Sequence, residues 1–473
     1  MKLTVIGTGY LGAVHAACMA EIGHEVLGVD IDEAKTAALA AGRTPFYEPG
    51  LQELLTRGTA SGRLRFTTSL REAGRFGGLH FLCVGTPQRP DGLGADLRHV
   101  DAAVDGLAPH LIPGALIVGK STVPVGTAER LTARLRAAGA PEAHLAWNPE
   151  FLREGHAVMD TLRPDRLVFG TGSRLAENVL REVYAPLIRS GVPYVATDTA
   201  TAELVKMAAN SFLATKISFI NAMAEVCDAA GADVTVLAHA VGYDHRIGRS
   251  FLNAGLGFGG GCLPKDIRAF RARAAELGVG PAVAFLAEID EINLRQRRRT
   301  VELATRLAGG ELTGRRIAVL GAAFKPESDD VRDSPALAVA ARLHREGAVV
   351  RVHDPQAVDN ARAACPQLDY AARVDKACEG ADVVLHLTDW AEYRALDPDA
   401  LTPLVCRPVL LDARNSLDPD VWTRAGWRYA ALGRLGAPAQ PSSDTPAQPS
   451  PDAPDQPSPD APVQPSPDAP ASA

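Results

Sequence analysis

The residues best suited to chemistry lie in one short stretch, where a run of glycines leads into a cysteine. The four glycines are Gly257, Gly259, Gly260 and Gly261. Glycine lacks the side chain that would keep a backbone away from a ligand. Cys262 follows, and Pro264 favours the first turn of a helix, so we expect the thiol at a helix N-terminus, where its pKa is lowered. The stretch predicts a covalent nucleophile; a small buried apolar cysteine is the alternative.

The N-terminal segment carries the pattern of a dinucleotide-binding fold. A strand over 2–6 leads into Gly7-Thr8-Gly9-Tyr10-Leu11-Gly12, then a helix to about residue 22 and a strand over 25–29 that ends in Asp30. Gly7 permits a tight turn, Gly9 lets a pyrophosphate approach, and Gly12 lets helix and strand pack closely. Asp30 can accept hydrogen bonds from two ribose hydroxyls but would repel a 2′-phosphate, which favours NAD over NADP.

Three further strands, over 79–84, 116–119 and 145–147, should end at the same edge of this sheet, where open α/β sheets bind ligands. Thr86 and Thr122 follow the first two strands and can donate hydrogen bonds to a cofactor or to water. Glu150 and Glu154 follow the third and supply carboxylates. Each residue alone is typical of a turn or cap, but their shared position predicts one crevice.

A long helix is predicted over 199–230. Lys206 and Asn210 are four residues apart on it and share a face, and their apolar neighbours predict that this face points into a site. A glycine-bearing loop over 241–253 carries Arg246 and Arg249, which suit phosphate. A second long helix is predicted over 281–307, with the basic run 295–299 on its solvated side.

The strand and helix pattern then restarts, with strands over 317–320, 349–353, 383–387 and 409–411 and a helix over 334–346. Lys325, Arg332 and Arg414 stand at or after strand ends. From about residue 437 an eight-residue repeat such as AQPSPDAP lacks the apolar bulk to fold.

The predicted fold class is therefore α/β, with two Rossmann-like doubly wound domains joined by a long central helical region, plus a disordered C-terminal tail. The predicted domains are an NAD-binding domain over 1–198, a central helical domain with the cysteine loop over 199–310, a nucleotide-binding domain over 311–436, and the tail over 437–473.

Composition excludes several classes of protein. The chain has 473 residues, a net charge of −7 and no long basic run, which argues against nucleic acid as a partner. No apolar run reaches the roughly 20 residues of a membrane span, so we expect a cytoplasmic protein without membrane contact. Seven cysteines without a CxxC pair, and histidines without an HExxH pattern, predict neither a disulfide framework nor a metal site. Cys18 and Cys227 are predicted as core residues.

An NAD fold combined with a nucleophilic cysteine indicates a two-step oxidation, in which an aldehyde is captured and oxidised again from alcohol to acid. A single-hydride hydroxyacid dehydrogenase would share the Rossmann domain and the Lys206 and Asn210 pair, but would not need Cys262. An NAD-sensing module without turnover is a third hypothesis.

Over residues 1–435 the chain resembles the UDP-glucose/GDP-mannose dehydrogenase family, through GTGYLG, NPEFLREG, RIGRSFLNAG, GFGGGCLPKD and FKPESDDVRDS. The resemblance implies oxidation of the C6 hydroxyl of a sugar nucleotide by two NAD⁺ and one water. Cys262 matches the nucleophile, Lys206 and Asn210 match groups that steady oxyanions, and Asp266 matches a carboxylate that orders water or a base. Glu150 matches the residue that assists thioester hydrolysis, with Thr122 nearby.

The resemblance also implies binding residues. Those that match NAD contacts are Gly7, Gly9, Tyr10, Leu11, Gly12, Asp30, Lys35, Thr86, Thr122, Glu154, Lys265 and Arg332. Those that match sugar-nucleotide contacts are Glu150, Phe151, Leu152, Arg153, Glu154, Lys206, Asn210, Arg246, Phe251, Leu252, Asn253, Ala254, Gly255, Gly259, Lys325 and Arg414.

The stretch RIGRSFLNAGLGFGG looks like the UDP-glucose branch of the family, with GDP-mannose and N-acetylated UDP-hexosamines as alternatives. The residue matching Arg246 reaches a neighbouring subunit's site in the family, which implies a homodimer built on the long helix. Two features depart from the family pattern: Gly261, where many relatives have serine, and the repeat tail.

Overall fold

The computed structural model describes residues 1–434. The repeat tail predicted over 437–473 lies outside the described residues. Among those described, no helix combines the length and apolar character needed to cross a bilayer.

The first half of the chain forms an eight-stranded sheet in the order β3-β2-β1-β4-β5-β6-β7-β8. Strands β1 to β6 are parallel in the 3-2-1-4-5-6 order of the Rossmann fold, and β7 pairs with β6 in the antiparallel sense. The strands are β1 (Lys2–Ile6), β2 (Glu25–Val29), β3 (Leu64–Thr67), β4 (Leu79–Leu82), β5 (Leu116–Gly119), β6 (His144–Trp147), β7 (Leu167–Gly170) and β8 (Tyr194–Thr197).

Helices connect these strands and cover the sheet with buried apolar side chains on both faces. They are α1 (Tyr10–Glu21), α2 (Glu33–Ala40), α3 (Leu51–Ala60), α4 (Leu70–Phe76), α5 (Arg98–Leu107), α6 (Thr127–Ala137), α7 (Ala157–Leu162), α8 (Arg174–Val183) and α9 (Ala185–Arg189), with a 3-10 turn over Ala108–His110. The strands predicted over 2–6, 25–29 and 116–119 are confirmed, whereas the strand predicted over 79–84 ends at Leu82.

The centre of the chain is helical and begins with α10 (Thr199–Ala230), whose predicted bounds are confirmed. The side chain of Asp198 accepts a hydrogen bond from the N–H of Thr201 and caps the helix, and Gly231 ends it in the left-handed conformation that glycine tolerates (φ 71°). The other central helices are α11 (Val234–Gly242), α12 (Leu263–Glu276), a 3-10 turn over Gly280–Val283, and α13 (Phe285–Leu307).

The sequence prediction for α13 needs two corrections. The helix begins at Phe285 rather than at 281, because residues 280–283 form the 3-10 turn. The basic run 295–299 is not its solvated side: Arg299 pairs with Asp228 of α10 at 2.6 Å, and Gln296 is fully buried. Other arginines of the run anchor α13 to α10 through Glu225 and to the loop after β9 through Asp333.

The last third forms a six-stranded parallel sheet in the order β11-β10-β9-β12-β13-β14, which repeats the Rossmann order. Its strands are β9 (Arg316–Leu320), β10 (Val349–His353), β11 (Asp369–Tyr370), β12 (Val383–His386), β13 (Val409–Asp412) and β14 (Arg428–Ala431). Its helices are α14 (Pro335–Arg345), α15 (Val358–Ala364), α16 (Val374–Cys378), α17 (Ala391–Arg394), α18 (Pro398–Leu401) and α19 (Pro419–Arg424). The predicted class of two Rossmann-like sheets with a central helical region is confirmed; the domain boundaries stay a prediction.

Candidate active site

The glycine turn between β1 and α1 has the shape that a dinucleotide needs. Gly7 has φ +87°, and a Cβ there would lie 2.8 Å from Val84, so the turn requires glycine. A Cβ at Gly12 would overlap the carbonyl oxygen of Gly7, which fits its expected part in close packing. The space over Gly9 is open, with no heavy atom within 4 Å. An open surface at the N-terminus of α1 suits a pyrophosphate.

Asp30 lies at the end of β2 beside this turn. Its carboxylate accepts hydrogen bonds from the N–H of Thr8 at 2.8 Å and from Nζ of Lys35 at 3.1 Å. Burial alone would raise the pKa of Asp30, but the N–H groups of Asp32 and Thr8 and the ammonium of Lys35 outweigh it and lower the pKa. The group therefore stays ionised and can accept hydrogen bonds from ribose hydroxyls.

The loops after β4, β5 and β6 meet at one edge of the sheet, as the sequence predicts. The hydroxyl of Thr86 donates to the carbonyl oxygen of Thr122 at 2.7 Å, which ties the first two loops together. Glu150 follows β6, and its Oε1 lies 2.9 Å from Nζ of Lys206 on α10. The face of α10 that carries Lys206 and Asn210 is buried rather than solvated, as expected.

Cys262 is the N-cap of α12 and is exposed to the cleft, so its expected place at a helix N-terminus is confirmed. The expected lowering of the thiol pKa is wrong. Burial of the thiol among protein atoms raises the pKa of Cys262 to about 11, and the carboxylates of Asp266 and Glu150 add to this rise. The charges of Lys206 and Lys265 act in the opposite direction. Asp266 stands in the first turn of α12, where its negative charge opposes the effect of the helix dipole on the thiol.

Asp266 links the cysteine helix to α10. Its carboxylate is 1% exposed, accepts from Nδ2 of Asn210 at 2.6 Å, and pairs with Nζ of Lys265 at 2.5 Å. The cleft therefore holds a thiol, two ammonium groups, one amide and two carboxylates. This set can bind an oxyanion, transfer protons and supply a sulfur nucleophile.

The glycine run before Cys262 packs closely against other segments of the protein, and its expected part in ligand binding stays a prediction. A Cβ at Gly257 would overlap the amide oxygen of Asn293, and a Cβ at Gly260 would lie 2.7 Å from the ring of Phe324. A Cβ at Gly261 would lie 2.5 Å from Cζ of Arg332, so the serine of many relatives would displace this guanidinium. The run makes room for α13 and for the loop after β9, and so docks the cysteine on the second sheet.

The loop after β9 reaches the first sheet through charged groups. The guanidinium of Arg332 lies 3.1 Å from Glu154, and the hydroxyl of Ser328 donates to the same carboxylate at 3.4 Å. Burial and the charge of Asp330 raise the pKa of Glu154 to about 7. Lys325 lies within electrostatic reach of Glu154 and Cys262, and burial lowers its pKa. Residues of both sheets thus face one cleft.

In the segment 251–255, Leu252 and Ala254 are buried in a small core with α10 and α11, whereas Phe251 and Asn253 are exposed. The guanidinium of Arg414 donates to the carbonyl oxygens of Leu387 and Gly257, so it stands at the junction of the second sheet and the cysteine loop. Its pKa is lowered to about 10 by burial.

The two expected substrate arginines differ in their surroundings. Arg246 is exposed and pairs with Asp244 at 2.6 Å. Arg153 pairs with Asp160 at 2.9 Å and lies within electrostatic reach of Lys325. Phe151 lies in the site, with its ring 5.7 Å from Nζ of Lys206, and the N–H of Leu152 donates to Glu150 at 2.8 Å.

Sequence reasoning missed three buried groups beside the site: Lys120, Glu203 and Glu48. Nζ of Lys120 lies 3.0 Å from the amide oxygen of Asn148, and burial lowers the pKa of this lysine to about 8. Glu203 precedes Lys206 by one turn and accepts from the N–H groups of Gly126 and Ala128, both at 2.7 Å. A charged residue within an otherwise apolar helix pattern was the available signal for Glu203.

Comparison with known proteins identifies three matched family domains. Residues 1–188 match the NAD binding domain of the UDP-glucose/GDP-mannose dehydrogenase family, residues 200–295 its central domain, and residues 318–419 its UDP binding domain. The matches confirm the resemblance drawn from the motifs.

Whole-chain relatives agree. A UDP-glucose 6-dehydrogenase of Rhizobium meliloti is 43% identical over 92% of this chain and 100% of its own length. One of Bacillus subtilis is 40% identical over 92% of this chain and 98% of its own. The solved UDP-glucose dehydrogenase of Pyrobaculum islandicum is 39% identical, with a TM-score of 0.84 over 92% of this chain and 98% of that one.

Proposed function

Because this chain belongs to the UDP-glucose/GDP-mannose dehydrogenase family, we propose that it oxidises UDP-glucose to UDP-glucuronate with NAD as the oxidant. It is an NAD-dependent nucleotide-sugar dehydrogenase, and relatives of about 40% identity that span the chain carry the substrate assignment. The observation that carries the mechanism is the exposed thiol of Cys262 beside Lys206, Asn210 and Asp266 in a cleft shared by both sheets.

Bound NAD⁺ supplies the hydride acceptor for each of the two oxidations. In the first, the C6 hydroxyl loses its proton to a neighbouring base and its carbon loses a hydride, which yields the aldehyde. Asp266 suits the base or the ordering of a water, since Asn210 and Lys265 hold its two carboxylate oxygens in place. The ammonium of Lys206 stabilises the developing oxyanion.

In the second oxidation Cys262 adds to the aldehyde. The sulfur gives its proton to a base and bonds to C6, so that the aldehyde oxygen becomes the alkoxide of a thiohemiacetal; this alkoxide gives up the second hydride and becomes a thioester. A proton must move at this step because the pKa of Cys262 is raised. Glu150 then activates water, which attacks the thioester; the C–S bond breaks, and carboxylate and thiol are released.

The substrate's nucleotide is assigned to the second sheet and the loops before Cys262. Lys325 and Arg414 are the cations for the diphosphate, and the backbone of 251–255 and Gly259 forms the floor. Phe151 and Leu152 cover the sugar from the first sheet. The family's UDP binding domain spans 318–419, which supports this assignment. GDP-mannose and N-acetylated UDP-hexosamines remain the alternatives for the same chemistry.

We assign a homodimer built on α10. Phe212, Phe219 and Val226 are 66%, 46% and 57% exposed and recur every seven residues along one face of this helix. Such a stripe is typical of a helix that packs on a partner. Phe219→Asp should give a monomer by light scattering, and the matched change Leu175→Asp, on an exposed apolar residue of α8, should not. A dimer unaffected by Phe219→Asp would overturn this assignment.

We place the enzyme in the cytoplasm. All seven cysteines lie within the described residues and all are free. Free thiols in this number are typical of a reducing compartment.

The test counts NADH formed per sugar consumed with UDP-glucose, GDP-mannose and UDP-N-acetylglucosamine. We expect two NADH per UDP-glucose, and a lower kcat/KM for GDP-mannose and UDP-N-acetylglucosamine than for UDP-glucose. A ratio of one would indicate a single-hydride dehydrogenase, and binding of NAD without turnover would indicate a sensing module. A preference for another sugar nucleotide would correct the substrate alone.

A further inference from the structure

A strap between α2 and α3, residues 44–50, touches three parts of the cleft. The ring of Phe46 lies 4.7 Å from the ring of Tyr10 in the glycine turn. The N–H of Tyr47 donates to Asp329 at 3.0 Å, in the loop after β9. Between them, Glu48 is 5% exposed and points toward the loop that follows β6.

The carboxylate of Glu48 joins two segments that sequence reasoning treated separately. One oxygen accepts from the hydroxyl of Tyr10 and from the N–H of Gly155 at 2.7 Å. The other accepts from the N–H of Ala157 at 2.7 Å and, more weakly, from Val158 at 3.4 Å. Tyr10, Glu48 and Gly155 are all joined to one another, since the hydroxyl oxygen of Tyr10 also accepts from the N–H of Gly155 at 2.9 Å.

We propose that Glu48 is a positioning residue, which locks the glycine turn and the loop of Glu150 and Glu154 into a single geometry. The proposal rests on the proposed function, because it takes the turn to hold NAD and the loop to act on the substrate. The loop has little freedom on its other side: Gly155 has φ +78°, and a Cβ there would lie 2.5 Å from the carbonyl oxygen of Glu327. Glu48, together with the hydroxyl of Tyr10, therefore keeps the loop at a fixed distance from the turn.

The chemistry of the site explains why a carboxylate is needed. All four groups directed at Glu48 are donors, so glutamine would turn its NH₂ group toward at least one of them, although its shape is nearly the same. Burial raises the pKa of Glu48 to about 7, against the opposing N–H groups of Gly155, Ala157 and Val158 and the charge of Lys325. Measurements at about pH 8 therefore compare the ionised side chain with its variants.

The experiment compares wild type, Glu48→Gln, Glu48→Asp and Tyr10→Phe. The matched control is Glu53→Gln, the same change on an exposed residue of α3. Without any ligand, amide hydrogen exchange at Gly155 and Ala157 should speed up at least about tenfold in Glu48→Gln. The dissociation constant of NAD should rise about tenfold, and kcat/KM for the sugar nucleotide should fall about 10²-fold through misplacement of the loop.

Three outcomes decide the proposal. Partial recovery of NAD affinity and kcat/KM in Glu48→Asp would support it. A double variant of Glu48→Gln and Tyr10→Phe that is no worse than Glu48→Gln alone would also support it, because the two residues share one contact. A lower Tm with unchanged NAD affinity and unchanged kcat would overturn it and leave a purely structural role. If wild type turns over no sugar nucleotide, the proposed function fails, and the exchange rates and NAD affinity still decide the role of Glu48.

Discussion

Nζ of Lys206 lies 2.9 Å from Oε1 of Glu150, and this ion pair joins α10 to the loop after β6. Lys206 is 5% exposed. Burial alone would lower its pKa, but Glu150, Cys262 and Asp266 outweigh burial and raise the pKa above its ordinary value. The ammonium is therefore held charged, in a place shielded from water, where it acts most strongly on an oxyanion.

Lys206→Met should lower kcat about 10² to 10³-fold, because it removes this charge from the transition state and leaves Glu150 without its cation. Steady-state NADH formation measures the effect. Lys376→Met, on an exposed lysine of α16, is the control and should leave kcat unchanged. A Lys206→Met enzyme with wild-type kcat and a raised KM would mean that the lysine only binds substrate.

Glu150→Gln should separate oxidation from hydrolysis. The variant keeps an oxygen to accept from the N–H of Leu152 but cannot take a proton from water. Rapid mixing should therefore show a burst of two NADH per active site, because both hydride transfers precede hydrolysis, followed by slow turnover as the thioester accumulates. If NADH forms slowly from the first turnover, Glu150 acts before hydrolysis.

Cys262→Ser should leave NAD affinity intact and reduce formation of the acid at least about 10³-fold, in the range found when an enzyme's nucleophile is removed. Cys262 is exposed at the start of α12, whereas the glycine turn lies between β1 and α1. Product analysis of the acid, with an NAD titration beside it, measures both effects. Cys406→Ser, the same change at another exposed cysteine, is the control. Full acid formation by Cys262→Ser would remove the covalent mechanism.

The parts of the site that the sequence predicts are those set by neighbours along the chain. The glycine turn and Asp30 follow from strand, turn and helix chemistry within about 30 residues. The bounds of α10 follow from a capping aspartate at one end and Gly231 at the other. The face shared by Lys206 and Asn210 follows from helical spacing.

The parts that the sequence does not predict depend on contacts between distant residues. Glu48 and Gly155 are 107 positions apart, and nothing in either segment indicates the partner. The pKa of Cys262 is raised first by burial among protein atoms and then by Asp266 and Glu150, so the helix N-terminus alone predicts the wrong direction. The sequence also does not predict the close packing of the glycine run against Asn293, Phe324 and Arg332, because these residues become its neighbours only in the folded chain.

The pH dependence of stability tests whether burial or hydrogen bonding controls the pKa of Glu203. Its carboxylate is 2% exposed and accepts from the N–H groups of Gly126 and Ala128. Burial raises its pKa from 4.5 to about 7, against these two donors and the charge of Arg273. Between pH 4.5 and about pH 7, Glu203 keeps its proton in the folded protein but has released it in the unfolded chain. The contribution of this carboxyl to the free energy of unfolding is therefore greatest below about pH 4.5 and declines up to about pH 7.

Glutamine does not titrate, so the comparison of wild type with Glu203→Gln isolates this carboxyl. Other buried groups, such as His80 and Glu154, titrate in both proteins and cancel in the difference. Tm of wild type minus Tm of the variant should fall as pH rises from about 4.5 to about 7, and should then stay constant. Thermal unfolding across this range measures the difference. If the difference instead grows with pH, the hydrogen bonds from Gly126 and Ala128 outweigh burial, and the loop of Thr122 is held by a carboxylate that is ionised throughout.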